Sequence, residues 1–187
     1  MGKAVTDRKT KKSVWEVLGI GLRLLAVCVV VAAVVALVNE VTRDRYARIQ
    51  QEEKQNAMAT IFGVADITYR ELGGDVYEIR QGDTLLGYCV ESTGAGFGGD
   101  LSLMVGFHSD RSVRGVQILS HSETPGVGAK VDDPAYLSQY AGVSGDLTLG
   151  EEIDAISGAT ISSRAVLSGV KNAQAALENA LTGGNEP

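Results

Sequence analysis

The chain has 187 residues, room for one domain of ordinary size plus extensions. Its net charge of −6 is unevenly spread: residues 1–60 hold ten Lys and Arg against six Asp and Glu, whereas residues 61–187 hold seven against seventeen, a net of −10. A folded part that acidic repels phosphate backbones, which argues against nucleic acid as a partner, and two cysteines with no Cys or His cluster argue against a zinc or iron–sulfur site.

From Ile20 to Val38 the sequence reads IGLRLLAVCVVVAAVVALV, an apolar run broken only by Arg23. At a rise of about 1.5 Å per residue it matches the hydrocarbon thickness of a bilayer. Arg23 is close enough to one end to snorkel, and Trp15 suits the interface. Ahead of the run stand Lys3, Arg8, Lys9, Lys11 and Lys12 against Asp7; behind it stand Arg43, Arg45 and Arg48. The positive-inside rule then predicts a cytoplasmic N-terminus and an exported C-terminal domain. A cleaved signal peptide would have an apolar core of only about 7–15 residues. A lipoprotein signal would want a small residue where Val27 precedes Cys28. A retained single-pass anchor is expected instead, with residues 1–13 as cytoplasmic tail and 14–38 as transmembrane segment. Residues 39–60 read as a helical stalk, with Asp44 and Arg48 paired at i, i+4 and an apolar edge through Tyr46, Ile49 and Ala57. A helix lying on the membrane surface is the alternative.

The domain is expected over residues 61–181, followed by a short tail, 182–187. Between residues 75 and 121 the runs DVYEIR, TLLGYCVEST, LSLMVGFH and SVRGVQILSH are separated by Gly and Asp turns, as in an antiparallel meander. Cys89 falls in one of these strands and Cys28 in the anchor, so no disulfide between them is expected. From Ser162 to Leu181, the residues Val166, Val170, Ala173, Leu177 and Leu181 recur at helical spacing and form one apolar face for the sheet, with Gly183 and Gly184 to end the helix. The fold class is therefore α+β: an antiparallel sheet packed by helices, with one N-terminal transmembrane helix.

Residues 94–99, GAGFGG, fit the G-x-G-x-x-G pattern after a strand, but DLSLMVGF follows with no helix to receive a pyrophosphate. Dinucleotide binding is not expected there. In HSETPGVGAK, Thr124-Pro125-Gly126 has the chemistry of a tight turn, leading to a short helix in DDPAYLSQY. His121 and Glu123 are too few for a metal site.

ISGATISSRAV, residues 156–166, has two readings. Ser157 and Gly158 suit a bend and Thr160 or Ser162 an N-cap. Local physics favours the cap; yet a helix start preceded by small residues also suits an anion, through unpaired N–H groups and the helix dipole.

Asp154 to Thr160, D-x-x-S-G-A-T, resembles the attachment motif of the FMN-binding domain family, in which flavin mononucleotide is joined through its phosphate to the threonine. HSETPGVG resembles that family's ETPG loop, with Val127 where a larger apolar residue is common, and GFGGDLSLMVGF with SVRGVQIL resembles its central strands. With its anchor and length, the chain is similar to the family of the G subunit of the Rnf ion-translocating electron transport complex. The resemblance covers about residues 60–181. It implies FMN held covalently on Thr160, with Ser157, Gly158 and Ala159 as the access path. Asp154 would be read by a Mg-dependent flavin transferase that uses FAD as donor. Glu123, Thr124, Gly126, Gly98 and Gly99 would lie near the flavin, with no catalytic residue and no metal. It further implies a redox subunit that is not catalytic alone, in an inner-membrane complex with other Rnf subunits. There, electron transfer between ferredoxin and NAD is coupled to Na⁺ or H⁺ translocation. The rival family is the C subunit of the Na⁺-translocating NADH:quinone oxidoreductase, whose members are generally longer. A rival of another class is a flavin-free membrane-anchored assembly protein.

Overall fold

The structure, a computed structural model, describes residues 4–183; residues 1–3 and 184–187, Lys3 and Gly184 among them, lie outside it, as do the side chains of residues up to 17, Trp15 included, and of Val41, Asp44 and Ala47. It divides into two units, one up to Gln50 and one from Gln51. Helix α1 is Ala4–Phe62. In the first unit it contains Leu18–Glu40, 23 residues of mean hydropathy 2.8 with none of the segment buried, long and apolar enough to cross a membrane. Tyr46 and Ile49 are exposed there.

In the second unit, β1 (Thr68–Gly73), β2 (Val76–Gln81), β3 (Thr84–Ala95), β4 (Asp100–Phe107) and β5 (Val113–Ser120) form one sheet in the order β1-β2-β3-β4-β5, every pair antiparallel. The expected meander is there, extended by β1. This edge strand is exposed at every position but Leu72, so its sequence carries no buried alternation to betray it. The central pair runs in unbroken register from Tyr88 opposite Phe107 to Ala95 opposite Asp100.

Period-two alternation sorts the strand residues between two cores. Val76, Val90, Leu103, Val105 and Phe107 face one side; Tyr77, Ile79, Cys89 and Met104 face the other. The first side is covered by α3 (Thr160–Gly183), slightly longer than its periodicity predicts. Val166, Val170, Ala173 and Leu177 are buried there and Leu181 partly so. At about 1.5–3 kcal/mol for each fully buried large apolar side chain, this stripe is what holds the helix to the sheet. Two side chains fix its register: Ser92 Oγ donates to the Gly169 carbonyl at 2.8 Å and Asn172 Nδ2 to the Thr93 carbonyl at 3.0 Å.

The short helix α2 (Pro134–Leu137) appears within DDPAYLSQY, capped by Asp133, whose carboxylate accepts from the Ala135 amide at 2.9 Å. Its Tyr136 and the following Tyr140 enter the same core. Both cysteines are free. Burial pushes the Cys89 thiol far up, which leaves it inert.

On the opposite face, Ala57, Met58 and Phe62 from the end of α1 are buried against the sheet. Arg114 of β5 locks them in place. Its Nε donates to the Ile61 carbonyl and its Nη2 to the Phe62 carbonyl, both at 3.2 Å, while the guanidinium lies 4.8 Å from the Phe62 ring centre. A cation thus satisfies carbonyls that a helix end leaves unpaired. Arg114→Ala is expected to cost about 1–3 kcal/mol and to raise amide hydrogen exchange in the last turn of α1. Thermal unfolding and exchange of the full-length protein in detergent will check both.

Candidate cofactor site

Two tight turns face a common cleft. In the first, the Val127 amide donates to the Thr124 carbonyl at 3.2 Å and Gly126 takes φ +77°. In the second, the Ala159 amide donates to the Ile156 carbonyl at 2.9 Å and Gly158 takes φ +81°. Both have the type II signature, a positive φ at the third residue that a side chain would strain. The second turn delivers the chain directly into α3. Its first carbonyl acceptor is Ala159, bonded by the Ser163 amide at 2.9 Å, and the Ser163 hydroxyl accepts from the Ile156 amide at 3.0 Å. Thr160 is therefore the first helical residue rather than the cap. Among the described residues no hydrogen bond engages its hydroxyl, and the side chain is exposed.

The cleft encloses about 380 Å³, within the range of roughly 300–1,000 Å³ usual for small-molecule sites. Thr160, Gly158, Ala159, Glu123 and Thr124 line it, joined by Phe97, Val127, Gly128, Ile161 and Ser162. Phe97, Val127 and Ile161 are 71%, 45% and 49% exposed; among the described residues of this unit, Tyr69 is the one other large apolar side chain in that class. An otherwise acidic domain thus gathers its exposed apolar surface around one hydroxyl at a helix N-terminus.

Of the remaining residues singled out in the sequence, Ser157 sits in the turn beside the cleft and Gly126 in the opposite turn. Gly98 is connected to the site through its amide. Gly99 is not part of the lining; its carbonyl accepts from the Gly96 amide at 3.0 Å and closes the loop between β3 and β4. Strand β4 follows the GAGFGG stretch, so the helix that a dinucleotide fingerprint opens directly after its glycines is replaced here by a strand. Asp154 is exposed and outside the lining, with its amide donating to Gln139 Oε1 at 2.9 Å. No pattern in the sequence marks Phe97, Gly128, Ile161 and Ser162 as cleft residues.

Glu123 joins these segments. Oε1 accepts from the Phe97 amide at 2.8 Å and the Gly98 amide at 3.3 Å, and Oε2 accepts from Ser162 Oγ at 2.7 Å. Its own amide donates to His121 Nδ1 at 3.2 Å. Burial pushes the carboxyl up, but the Ser162 hydroxyl, the Gly98 and Phe97 amides and the nearby imidazole together hold it below its ordinary 4.5. The unfolded chain therefore binds this proton more readily than the folded one. The stabilisation is complete above pH 4.5 and is lost as pH falls through the lower folded value. Glu123→Gln should remove this component from the acid limb of a stability–pH profile, measured by denaturant unfolding of both proteins.

Comparison with known proteins places the cleft in a family. The FMN-binding domain model matches residues 96–175, a span that contains every residue lining the cleft. The G subunit of an ion-translocating oxidoreductase complex from Methanosarcina acetivorans is 32% identical over 174 residues, covering 84% of this chain and 93% of that protein. The G subunit of a proton-translocating ferredoxin:NAD(+) oxidoreductase complex from Clostridium ljungdahlii is 30% identical over 167 residues, covering 84% of this chain and 90% of its own. The crystal structure of Shewanella oneidensis NqrC is 29% identical with a TM-score of 0.42, over 53% of this chain and 52% of its own. The chain belongs to the family of G subunits of ion-translocating oxidoreductase complexes and carries its FMN-binding domain.

Proposed function

We propose that this chain is a membrane-anchored electron-relay subunit that carries FMN on Thr160 through a phosphoester, within a complex coupling ferredoxin:NAD electron transfer to Na⁺ or H⁺ translocation. The observation that carries the reading is a Thr160 hydroxyl with no hydrogen-bond partner among the described residues, on the first residue of α3, beside three exposed apolar side chains. The donor chemistry fits the group. An α-helix leaves its first amides without internal partners, here those of Thr160, Ile161 and Ser162, and its dipole favours negative charge. Phe97, Val127 and Ile161 offer the apolar surface that a flat ring requires.

When bound, FMN supplies the redox chemistry. The chain's residues do the rest. Thr160 would hold the group through its side-chain oxygen: attachment would form the bond from that oxygen to the FMN phosphorus of an FAD donor, with AMP as leaving group and the hydroxyl proton released to solvent. Among the described residues no side chain hydrogen-bonds the Thr160 hydroxyl as a general base would, in keeping with a separate flavin transferase that reads Asp154 and the exposed turn. Ser157, Gly158 and Ala159 leave the approach to Thr160 open. Thr124 and Gly126 form the opposite rim, and Gly98 and Gly99 shape the loop that presents Phe97. The basic residues ahead of the anchor favour a cytoplasmic N-terminus, with the domain on the exported side of an inner membrane and the other components of the complex as partners.

Intact mass of the full-length protein, co-produced with a flavin transferase, tests the attachment. The wild type should gain FMN less one water and Thr160→Ala should gain nothing. Equal mass changes in both, or none in the wild type, would remove Thr160 from the role.

A further inference from the structure

Glu123 is 6% exposed, in a chain whose residues 61–187 already carry a net −10. Its carboxylate is met only by neutral donors: the Phe97 and Gly98 amides on Oε1 and the Ser162 hydroxyl on Oε2. Among the described residues no Lys, Arg or His forms a salt bridge with it. His121 turns its Nδ1 to the Glu123 amide instead. The backbone closes around it from two sides. A Cβ on Gly96 would run into Oε1, and one on Gly128 into Oε2 and the Ser162 hydroxyl.

An unneutralised carboxylate in such a place is costly to desolvate. A glutamine would accept the same two amide bonds and pair with the Ser162 hydroxyl, without that cost. The three donors keep the carboxylate ionised where a glutamine would fit the same bonds, so a full negative charge persists at this point of the fold. Glu123 also lines the cleft that holds Thr160. Surface acids are screened over about 8 Å at physiological ionic strength; a carboxylate in the cleft wall is shielded far less.

We propose that Glu123 is a positioning residue with a second, electrostatic role: it binds the Phe97 loop to the first turn of α3, and its charge keeps the electron affinity of a flavin in the cleft low. This rests on the flavin reading above. Two substitutions should act with opposite signs. Glu123→Gln removes the charge while keeping the shape, so the midpoint potential rises. Ser162→Ala removes a donor that partly offsets the charge, so the potential falls. Glu178→Gln makes the same charge change about 24 Å along α3, at about 1.5 Å per residue, and should leave the potential where it was.

The experiment is a spectroelectrochemical titration of the full-length protein co-produced with its transferase, after intact mass has established FMN on each variant. Glu123→Gln should raise the reduced-to-oxidised ratio at a fixed ambient potential about tenfold, equivalent to about 59 mV for one electron. Ser162→Ala should lower that ratio by a smaller factor. Wild-type potentials in both variants, or an equal rise in Glu178→Gln, would overturn the proposal. If Glu123→Gln does not load, the Ser162→Ala shift decides alone: a fall supports the charge role and no change rejects it. Absence of FMN mass from the wild type would defeat the flavin reading itself, and would be seen before any potential is measured.

Discussion

The apolar stripe of α3 is buried against β3 and β4, and that burial sets where the helix begins. With Val166 and Val170 fully buried and Ser92 and Asn172 fixing the register, the N-terminus of α3 is held over the ends of the central strands. That is also where the loop between β3 and β4 returns, so Phe97 and Thr160 meet across one cleft. Thr160 could not be moved without shifting the helix along the sheet, which close packing does not allow.

Within this frame the cleft combines features that conflict in isolation. Exposed apolar side chains favour association with something apolar. A helix N-terminus favours an anion, while a buried carboxylate disfavours one. On the proposed reading, a tethered cofactor with an anionic phosphate at one end and a flat ring at the other would reconcile them, the helix terminus suiting the phosphate and the apolar wall the ring. A covalent link would further relieve the site of having to hold the group by affinity alone, so that an open cleft would suffice.

Much of this was legible in the sequence because it depends on local physics. The membrane-length run, the strand alternation from Val76 to Ser120, the turn at Thr124-Pro125-Gly126 and the stripe from Val166 to Leu177 are all written at short range. Strand β1 was hidden because an edge strand exposed on both faces has no buried period. Ala57 shares a helical edge with Tyr46 and Ile49 in the sequence, yet it is buried while they are exposed: it belongs to the second unit, where the end of α1 packs on the sheet. By local physics alone Thr160 reads as a cap, until the structure gives that place to Ala159. Glu123 and Ser162 are 39 residues apart, so no periodicity connects them. Their pairing exists only in the folded chain.

The segments that meet at Glu123 come from the β3–β4 loop, the stretch after β5 and the first turn of α3, and α3 follows every strand in the sequence. Sequential antiparallel neighbours let the meander form from contacts close along the chain, which is the fast kind of topology. The cleft is different, because it stays incomplete until α3 has emerged and docked. Anything that still holds this helix back withholds the setting of Thr160 along with it. On the proposed reading, attachment would thereby be ordered in time: the scaffold would come first, and the surface around Thr160 would appear only once α3 has docked.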